Sequence, residues 1–548
     1  MSGALSHLIL APIVLPLVAG TLMLLFDRRR RSPRAAIGLS AVIALMATAA
    51  TLLYLSWTED AGAAFRPSVY LLGNWPAPFG IVLVLDQLSA LMLVLTSILA
   101  LASLVFSLAR WHRAGVHFHP LFQFLLMGLN GAFLTGDLFN LFVFFEVTLA
   151  ASYGLVLHGS GINRVKAGMH YIAINLTAAA LFLVGVSLLY GVTGTLNMAD
   201  LAVRAAQVKP EDRMLLETGA ALLGVAFLVK AGMWPLGFWL PTAYTAASPP
   251  VAAIFAIMSK VGVYAVLRLW LLLFGNGGSE SAGFGADWLL YGGMMTIVFG
   301  MIGILASQDT ARLAGFTVLV SSGTLLAAIG TNQVGVTAGA LFYLVSSTIT
   351  ISAFFLLIEL VERGRGYGAD ILAVTSEAFG EGDEAELPDE DEAGTPIPAT
   401  MAVLGIAFLC CAVLLSGAPP LSGFIAKFAV LSGLFHFGEE VGAGVISAQN
   451  WAFVVLLIVS GLAVLIAMIR AGIRSFWSPV EREVPRVGVV EMAPVAALLL
   501  LCVTMTVQAG PVMRYMEATA RSLHDPVRYV EDVLSAPRVA ASDAEAGP

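Results

Sequence analysis

The chain has 548 residues, of which 59% are hydrophobic and only 12% charged, where a soluble domain is ~45–50% apolar and ~25% charged. That balance indicates a polytopic membrane protein. It leaves no place for a soluble enzyme or a nucleic-acid binder: there is no basic tract, glycine-rich phosphate loop, metal-ligand cluster or nucleophile–base motif, and the net charge of −8 comes largely from one acidic stretch. The N-terminus, "MSGALSHLILAPIVLPLVAGTLMLLF", lacks a basic start and a cleavage site and reads as a first span rather than a signal peptide.

A helix needs about 20 apolar residues to cross the hydrocarbon core. In chain order the candidates lie near 5–27, 35–57, 81–108, 117–135, 137–158, 166–190 and 214–240. They continue near 249–273, 286–307, 311–330, 335–361, 398–435, 451–474 and 488–509, which makes fourteen and an all-α fold. The loop "DRRRRSPR" after the first span carries five arginines and is predicted cytoplasmic. Alternating from there, inner loops and flanks hold 16 Lys/Arg and outer segments 9, so both termini are expected outside. Cys410, Cys411 and Cys502 match no metal or redox spacing and read as packing residues; no cofactor is expected. The inner loop over 362–397 contains "EAFGEGDEAELPDEDEAGTP", whose nine carboxylates and two prolines read as a solvated linker. EF-hand spacing is absent from it. The polar tail, 510–548, is expected to be mobile or to lie against a partner.

Two spans differ from the rest. The seventh, in "AFLVKAGMWPLGFWLP", holds Lys230 followed by Pro235; the twelfth, "CCAVLLSGAPPLSGFIAKFAVLSGLF", holds Pro419, Pro420 and Lys427. Proline removes a donor and crowds the carbonyl four residues back. Pro235 should therefore free the carbonyl of Ala231, and Pro419 and Pro420 those of Leu415 and Ser416. These broken spans are five apart, an odd offset that places them in opposite orientations. This is the pattern of inverted repeats whose broken helices mark the transport site. The expected units are residues 1–110 (spans 1–3), 117–273 (spans 4–8), 286–474 (spans 9–13), 488–509 (span 14) and the tail.

Four ionisable residues fall near the middle of spans: Glu146, Lys230, Lys260 and Lys427. Each costs at least ~2.5–3.5 kcal/mol at the bilayer centre, together on the order of 10 kcal/mol, comparable to a whole domain's stability. They must face one another, water or both. Snorkelling is strained for Lys230 and Lys260, whose spans continue apolar on both sides. A static internal ion pair is the other structural reading. Three lysines and one glutamate do not neutralise, however, which points to a lysine that exchanges a proton. Desolvation favours the neutral amine and a nearby carboxylate the ammonium, so moving Glu146 relative to Lys230 could switch that lysine.

At these residues the sequence resembles a known family. "LVKAGMWPLGFWLPTAYTAASPPVAAIFAIMSKVGVYAVLR" and "GAPPLSGFIAKFAVL" are similar to motifs of the proton-conducting antiporter-like subunits. These occur in respiratory complex I, membrane-bound hydrogenases and multisubunit Mrp-type Na⁺/H⁺ antiporters. The resemblance runs over roughly 80–475, and the segments at 117–159 and "RGYGADILAVTSEAFGEG" most resemble the D-type subunits of the Mrp antiporters. It implies fourteen helices with two inverted five-helix repeats and a proton path along the membrane's centre. Glu146 matches the fifth-span glutamate paired with the seventh-span lysine, here Lys230. Lys260 matches the eighth-span relay residue, and Lys427 the terminal lysine. It further implies other membrane subunits as partners, H⁺ and Na⁺ (or another monovalent cation) as substrates, and a bacterial inner membrane.

One departure stands out. Many relatives carry His and Lys on the eleventh span, where this chain reads "LFYLVSSTITISAFFLLIEL". Ser346, Ser347, Thr348, Thr350 and Ser352 stand in their place; Ser346, Thr348 and Ser352 are candidate water-wire lining, with helix packing the alternative reading. His117, His119, His158 and His170 flank inner ends of spans, as interfacial residues or as proton-entry groups. Two other functions remain open on the sequence alone: a redox-driven pump subunit, and a membrane scaffold that transports nothing.

Overall fold

Apolar runs bounded by caps and prolines become a bundle of membrane-length helices. The structure, a computed structural model, describes residues 7–26, 31–58, 67–111, 115, 117–159, 161–275, 280–363, 399–440, 447–477 and 485–538. The acidic segment 377–396 and the chain's last ten residues lie outside them. The first spans are α1 (Ala11–Leu25), α2 (Arg31–Thr58), α3 (Gln87–Ala109), α4 (Phe118–Leu134), α5 (Leu138–Val156), α6 (Ile162–Thr193) and α7 (Arg213–Ala231). Then come α8 (Pro249–Phe274), α9 (Ala286–Ala306), α10 (Thr310–Gly330) and α11 (Val334–Glu362). The twelfth span, α12, is two half-helices, Ala399–Ser416 and Ser422–Glu440, followed by α13 (Ala448–Phe476) and α14 (Val489–Val507). Thirteen described helices are long and apolar enough to cross a membrane; α4, at 17 residues, is the short one of the set. The chain is thus an all-α, multi-pass membrane protein.

The third span begins later than its hydropathy predicts. Val82–Leu85 is a strand, β2, paired antiparallel with β1 (Ser68–Leu71), and the helix starts only at Gln87. The reason is local. The run "VLVL" suits a strand, and Asp86 closes a capping box with Ser89, accepting from its amide at 2.8 Å.

Both proline breaks are present. α7 stops at Ala231, with Gly232 in the left-handed conformation (φ +80°), and a short helix resumes at Trp239–Ala246. In α12 the first half-helix ends at Ser416, with Gly417 at φ +73°.

The core of the bundle is α8, α10 and α11. Every residue in the membrane window of α10 and α11 is enclosed by the chain itself, and 94% of that of α8. Small residues permit this closeness: a Cβ on Gly293 of α9 would lie 2.4 Å from the amide nitrogen of Ala327 on α10. By contrast α13 presents Val455, Ile458, Leu462, Ile466 and Ile469 outward, the apolar face of a helix at the bundle's edge.

Residues 509–534, expected as part of a mobile or partner-bound tail, form helices that pack on the chain itself. These are α15 (Ala509–His524) and α16 (Val527–Leu534). Tyr515 donates to the carbonyl of Gln87 at 2.7 Å and stacks on Trp57, while His524 meets Thr337 at 3.0 Å. These helices cover the ends of α3, α8 and α11.

Candidate functional site

The four charged residues of the mid-membrane region occupy distinct environments. Lys230, on the last turn of α7, sits with its ammonium 4.8 Å from the centre of the Phe145 ring. A cation over a ring face gains ~0.5–2 kcal/mol. Lys230 also lines a cavity of about 30 Å³ with Thr148, Tyr171, Asn175 and Trp239, enough for a water molecule. Tyr171 and Ser152 share a 2.6 Å hydrogen bond at its wall, and Thr148 Oγ1 is buried with no protein partner. Backbone groups near the break find side-chain partners: the Val229 carbonyl accepts from Trp239 Nε1 at 3.2 Å, and the Trp234 amide donates to Thr296 Oγ1 at 2.9 Å.

Glu146 does not form the direct pair with Lys230 that the family resemblance implies. No oxygen of Glu146 comes within 4 Å of the lysine nitrogen, although the two charges interact at longer range. Glu146 is half-buried on the face of α5 that carries the exposed Phe139 and Val143, and its Oε1 is buried without a hydrogen-bond partner. Phe145 stands next to it in sequence and under the ammonium. A one-residue step on a helix turns a side chain by about 100°, which places glutamate and ring in different surroundings.

Lys260 is fully buried on α8 and has no carboxylate partner among the described residues. Its ammonium donates to Ser321 Oγ at 2.8 Å and Ser322 Oγ at 3.3 Å, both on α10. Ser321 Oγ lies 2.9 Å from Ser347 Oγ on α11. Ser346 Oγ, from the residue before it on α11, lies 2.9 Å from Ser422 Oγ at the start of the second half of α12. A cavity of about 20 Å³ lies between these pairs, lined by Ser321, Ser346, Ser347, Tyr343, Leu415 and Gly423 among others. Of the other hydroxyls on this stretch, Thr348 bonds the Leu344 carbonyl at 2.5 Å, and Ser352 is buried with no hydrogen-bond partner; neither lines the cavity.

Lys427 donates to the carbonyl of Ser416 at 2.8 Å. That is the carbonyl Pro420 leaves without a helical donor. Lys427 also lines a groove of about 290 Å³ with Phe424, Phe428, Leu457, Ile458 and Leu462. Phe428, Ile458 and Leu462 are each more than half exposed, so this groove opens at the bundle's edge.

Two charge clusters escaped the sequence reading. At the end covered by α15 and α16, Arg268 on α8 forms a bidentate pair with Asp86, and its guanidinium lies 5.3 Å from the Tyr529 ring. Burial alone would raise the Asp86 carboxyl; the Arg268 guanidinium beside it and the hydrogen bonds from Ser89 together outweigh this and hold it below the usual carboxylate range. Arg268 falls two turns after Lys260 on α8, with Tyr264 between them bonded to the Phe133 carbonyl at 2.7 Å. At the opposite end, Arg363 holds Glu491 of α14 at 2.7 Å and Glu359 of α11 at 2.7 Å. Trp111 Nε1 donates to Glu359 at 2.8 Å, and the Trp111 carbonyl meets His158 at 2.9 Å. Burial pushes His158 below the usual histidine range. The Asp86–Ser89 cap was the available signal for the first cluster; the partners of both come from distant segments.

The arrangement comprises buried amines, two of them beside helix breaks, with hydroxyl-lined water-sized cavities near them. Such a site can hold and pass protons. Residues 135–450 match the family described as "NADH:quinone oxidoreductase/Mrp antiporter, TM". The chain is 61% identical to a probable K⁺/H⁺ antiporter D-type subunit of Rhizobium meliloti, covering 98% of this chain and 99% of that protein. It is 32% identical to the Na⁺/H⁺ antiporter D-type subunit of Alkalihalophilus pseudofirmus, over 96% and 99%. Its fold matches a chain of the solved Mrp complex from Dietzia sp. DQ12-45-1b with a TM-score of 0.81 at 26% identity, covering 97% of this chain and 100% of that one. With the matched segment spanning both helix breaks and all four mid-membrane charges, this chain belongs to the NADH:quinone oxidoreductase/Mrp antiporter transmembrane family.

Proposed function

We propose that this chain is a proton-translocating membrane subunit of a multisubunit monovalent cation/proton antiporter in the bacterial inner membrane. Protons pass between Glu146, Lys230, Lys260 and Lys427 through hydroxyls and water, with Ser346 part of the lining. The observation that carries this reading is Lys260. It is fully buried and held only by hydroxyls in the direct contacts of the structure. A permanent charge there would be costly, so the site suits a group that alternates between amine and ammonium. One charge crossing 100 mV releases ~2.3 kcal/mol, equivalent to a tilt of ~1.7 units between two proton sites.

In this reading the chain termini and the cover formed by α15 and α16 face outward, and the acidic loop faces the cytoplasm. The arginine-rich loop after α1 supports that orientation. Two inverted units, α4–α8 and α9–α13, each contribute one broken helix, at Pro235 and at Pro419–Pro420. Partner membrane subunits complete the transporter, and the exchanged cation is Na⁺ or K⁺.

The test uses everted vesicles containing the whole complex, with each cation added separately to start pH changes and complex content measured alongside. Lys230→Ala, Lys260→Ala and Glu146→Ala should abolish cation-dependent pH recovery in assembled complexes. Normal recovery would favour the scaffold reading. Copurifying quinone-reductase or iron–sulfur subunits would favour a redox-driven pump.

A further inference from the structure

The stretches that separate Lys260 from Lys427, 313–330 on α10 and 334–358 on α11, contain no lysine, histidine or carboxylate. We propose that two interhelical serine pairs, Ser321–Ser347 and Ser346–Ser422, carry the proton from Lys260 across the small cavity between them to the break in α12. The proposal rests on the reading of Lys260 as a proton carrier.

The geometry distinguishes these serines from their neighbours. A buried serine or threonine in a helix usually bonds its own preceding turn. Thr324 does so to Val320 at 2.9 Å, and Thr350 to Ser346 at 2.7 Å. Ser321, Ser346 and Ser422 instead meet hydroxyls of other helices at 2.9 Å, and Ser347 keeps only a long 3.4 Å contact to its own turn. Three successive helices are joined this way, starting from a 2.8 Å contact with the Lys260 ammonium. The gap between the pairs is a cavity of about 20 Å³, room for one water. It is bordered by Leu415, whose carbonyl Pro419 leaves free of a helical donor.

Each transfer balances. The Lys260 ammonium gives a proton to Ser321 Oγ as Ser321 releases its own hydroxyl proton to Ser347 Oγ. Ser347 passes its proton to a cavity water, the water passes one to Ser346, and Ser346 passes its own to Ser422 at the mouth of the break. Ser422 in turn releases its hydroxyl proton through water in the break to Lys427, waiting there as the neutral amine, which becomes the ammonium. Lys260 is left as the neutral amine and no hydroxyl keeps an extra proton. The hydroxyls finish rotated and must turn back before the next proton moves. This relay does without the stored proton that a histidine would supply.

The test measures antiport in vesicles carrying the whole complex, normalised to assembled complex, in H₂O and D₂O. Ser321→Ala/Ser347→Ala and Ser346→Ala/Ser422→Ala should each slow antiport by at least about tenfold. Ser347→Thr, which keeps a hydroxyl, should retain the rate and the wild-type isotope ratio. Ser97→Ala is the control: Ser97 is buried on α3 with its hydroxyl spent on the Leu93 carbonyl at 2.7 Å. If the alanine pairs do not assemble, Ser321→Cys/Ser347→Cys, close in volume and poor in proton transfer, replaces them with the same expected loss. Assembled alanine or cysteine pairs with unchanged rates and isotope ratios would overturn the relay. So would a Ser347→Thr complex as slow as the alanine pair. Lys260→Ala, run in parallel, separates the two ideas. If it is inactive while the serine variants are normal, only the relay falls; if it is active, the proton-carrier reading falls too.

Discussion

Lys427 Nζ donates to the carbonyl oxygen of Ser416 at 2.8 Å, so the lysine of the second half of α12 closes the gap that Pro420 opens in the first. Break and charge are one unit: the proline frees an acceptor, and the lysine after it supplies the donor. A lysine that surrenders its proton still has an N–H to offer the carbonyl, so this contact survives both protonation states while its strength changes.

Gly461 on α13 keeps that contact intact. A Cβ there would lie 2.6 Å from the Ser416 oxygen and 2.9 Å from Lys427 Nζ. Gly461→Ala should push lysine and carbonyl apart, cost ~1–3 kcal/mol in packing strain and lower antiport more than it lowers complex content. Vesicle antiport normalised to assembled complex checks this. Equal loss of both would mean that the glycine matters only for packing.

Asp86→Asn should be strongly destabilising. It leaves the buried Arg268 guanidinium without its charge partner, a loss of ~3–5 kcal/mol for a broken buried pair. Removing both charges, as Asp86→Asn with Arg268→Leu, should recover part of the loss. Thermal unfolding of the purified complex in detergent measures both variants.

The C-terminal cover should loosen in acid. Burial holds His524 down at about 4, whereas a free histidine titrates near 6.5. Above pH ~6.5 both states are neutral and the contact with Thr337 is fully present. As pH falls from there toward about 4, the unfolded segment takes up a proton that the folded one refuses, and stability is lost. Hydrogen exchange over 509–534 should therefore quicken as pH falls through that window, after correction for intrinsic rates, and His524→Gln should flatten the trend.

Trp239→Phe keeps an aromatic ring against Tyr171 but removes the donor to the Val229 carbonyl beside the first break. The expected cost is ~1 kcal/mol, small enough for assembly and visible as a lowered melting temperature. A larger fall in antiport than in stability would show that this carbonyl's partner helps to position Lys230.

The spans, the two breaks and the four mid-membrane charges are legible in the sequence because each is decided within one stretch of chain. Apolar length sets a crossing, a proline removes its own amide, and a lysine carries its desolvation cost wherever the helix turns. The late start of α3 comes from a cap that hydropathy averages away: Asp86 and Ser89 end the strand and begin the helix within a few residues. The helical tail reads as mobile because its composition is polar. Its apolar residues, Tyr515, Leu523 and Tyr529, are buried on one face that only the ends of the bundle could receive.

The sequence alone thus determined that this is an all-helical membrane protein with charged, proline-broken spans. Tertiary structure decided which groups meet: Phe145 rather than the Glu146 carboxylate against Lys230, Ser321 with Ser347, and Asp86 with an arginine 182 residues away. The physical reason is rotation and register. In a span that is apolar on every side, hydropathy does not select the inward face, and one residue's shift turns a side chain by about 100°. Contacts between helices make that choice, and they are set by the close approach of small residues across the bundle.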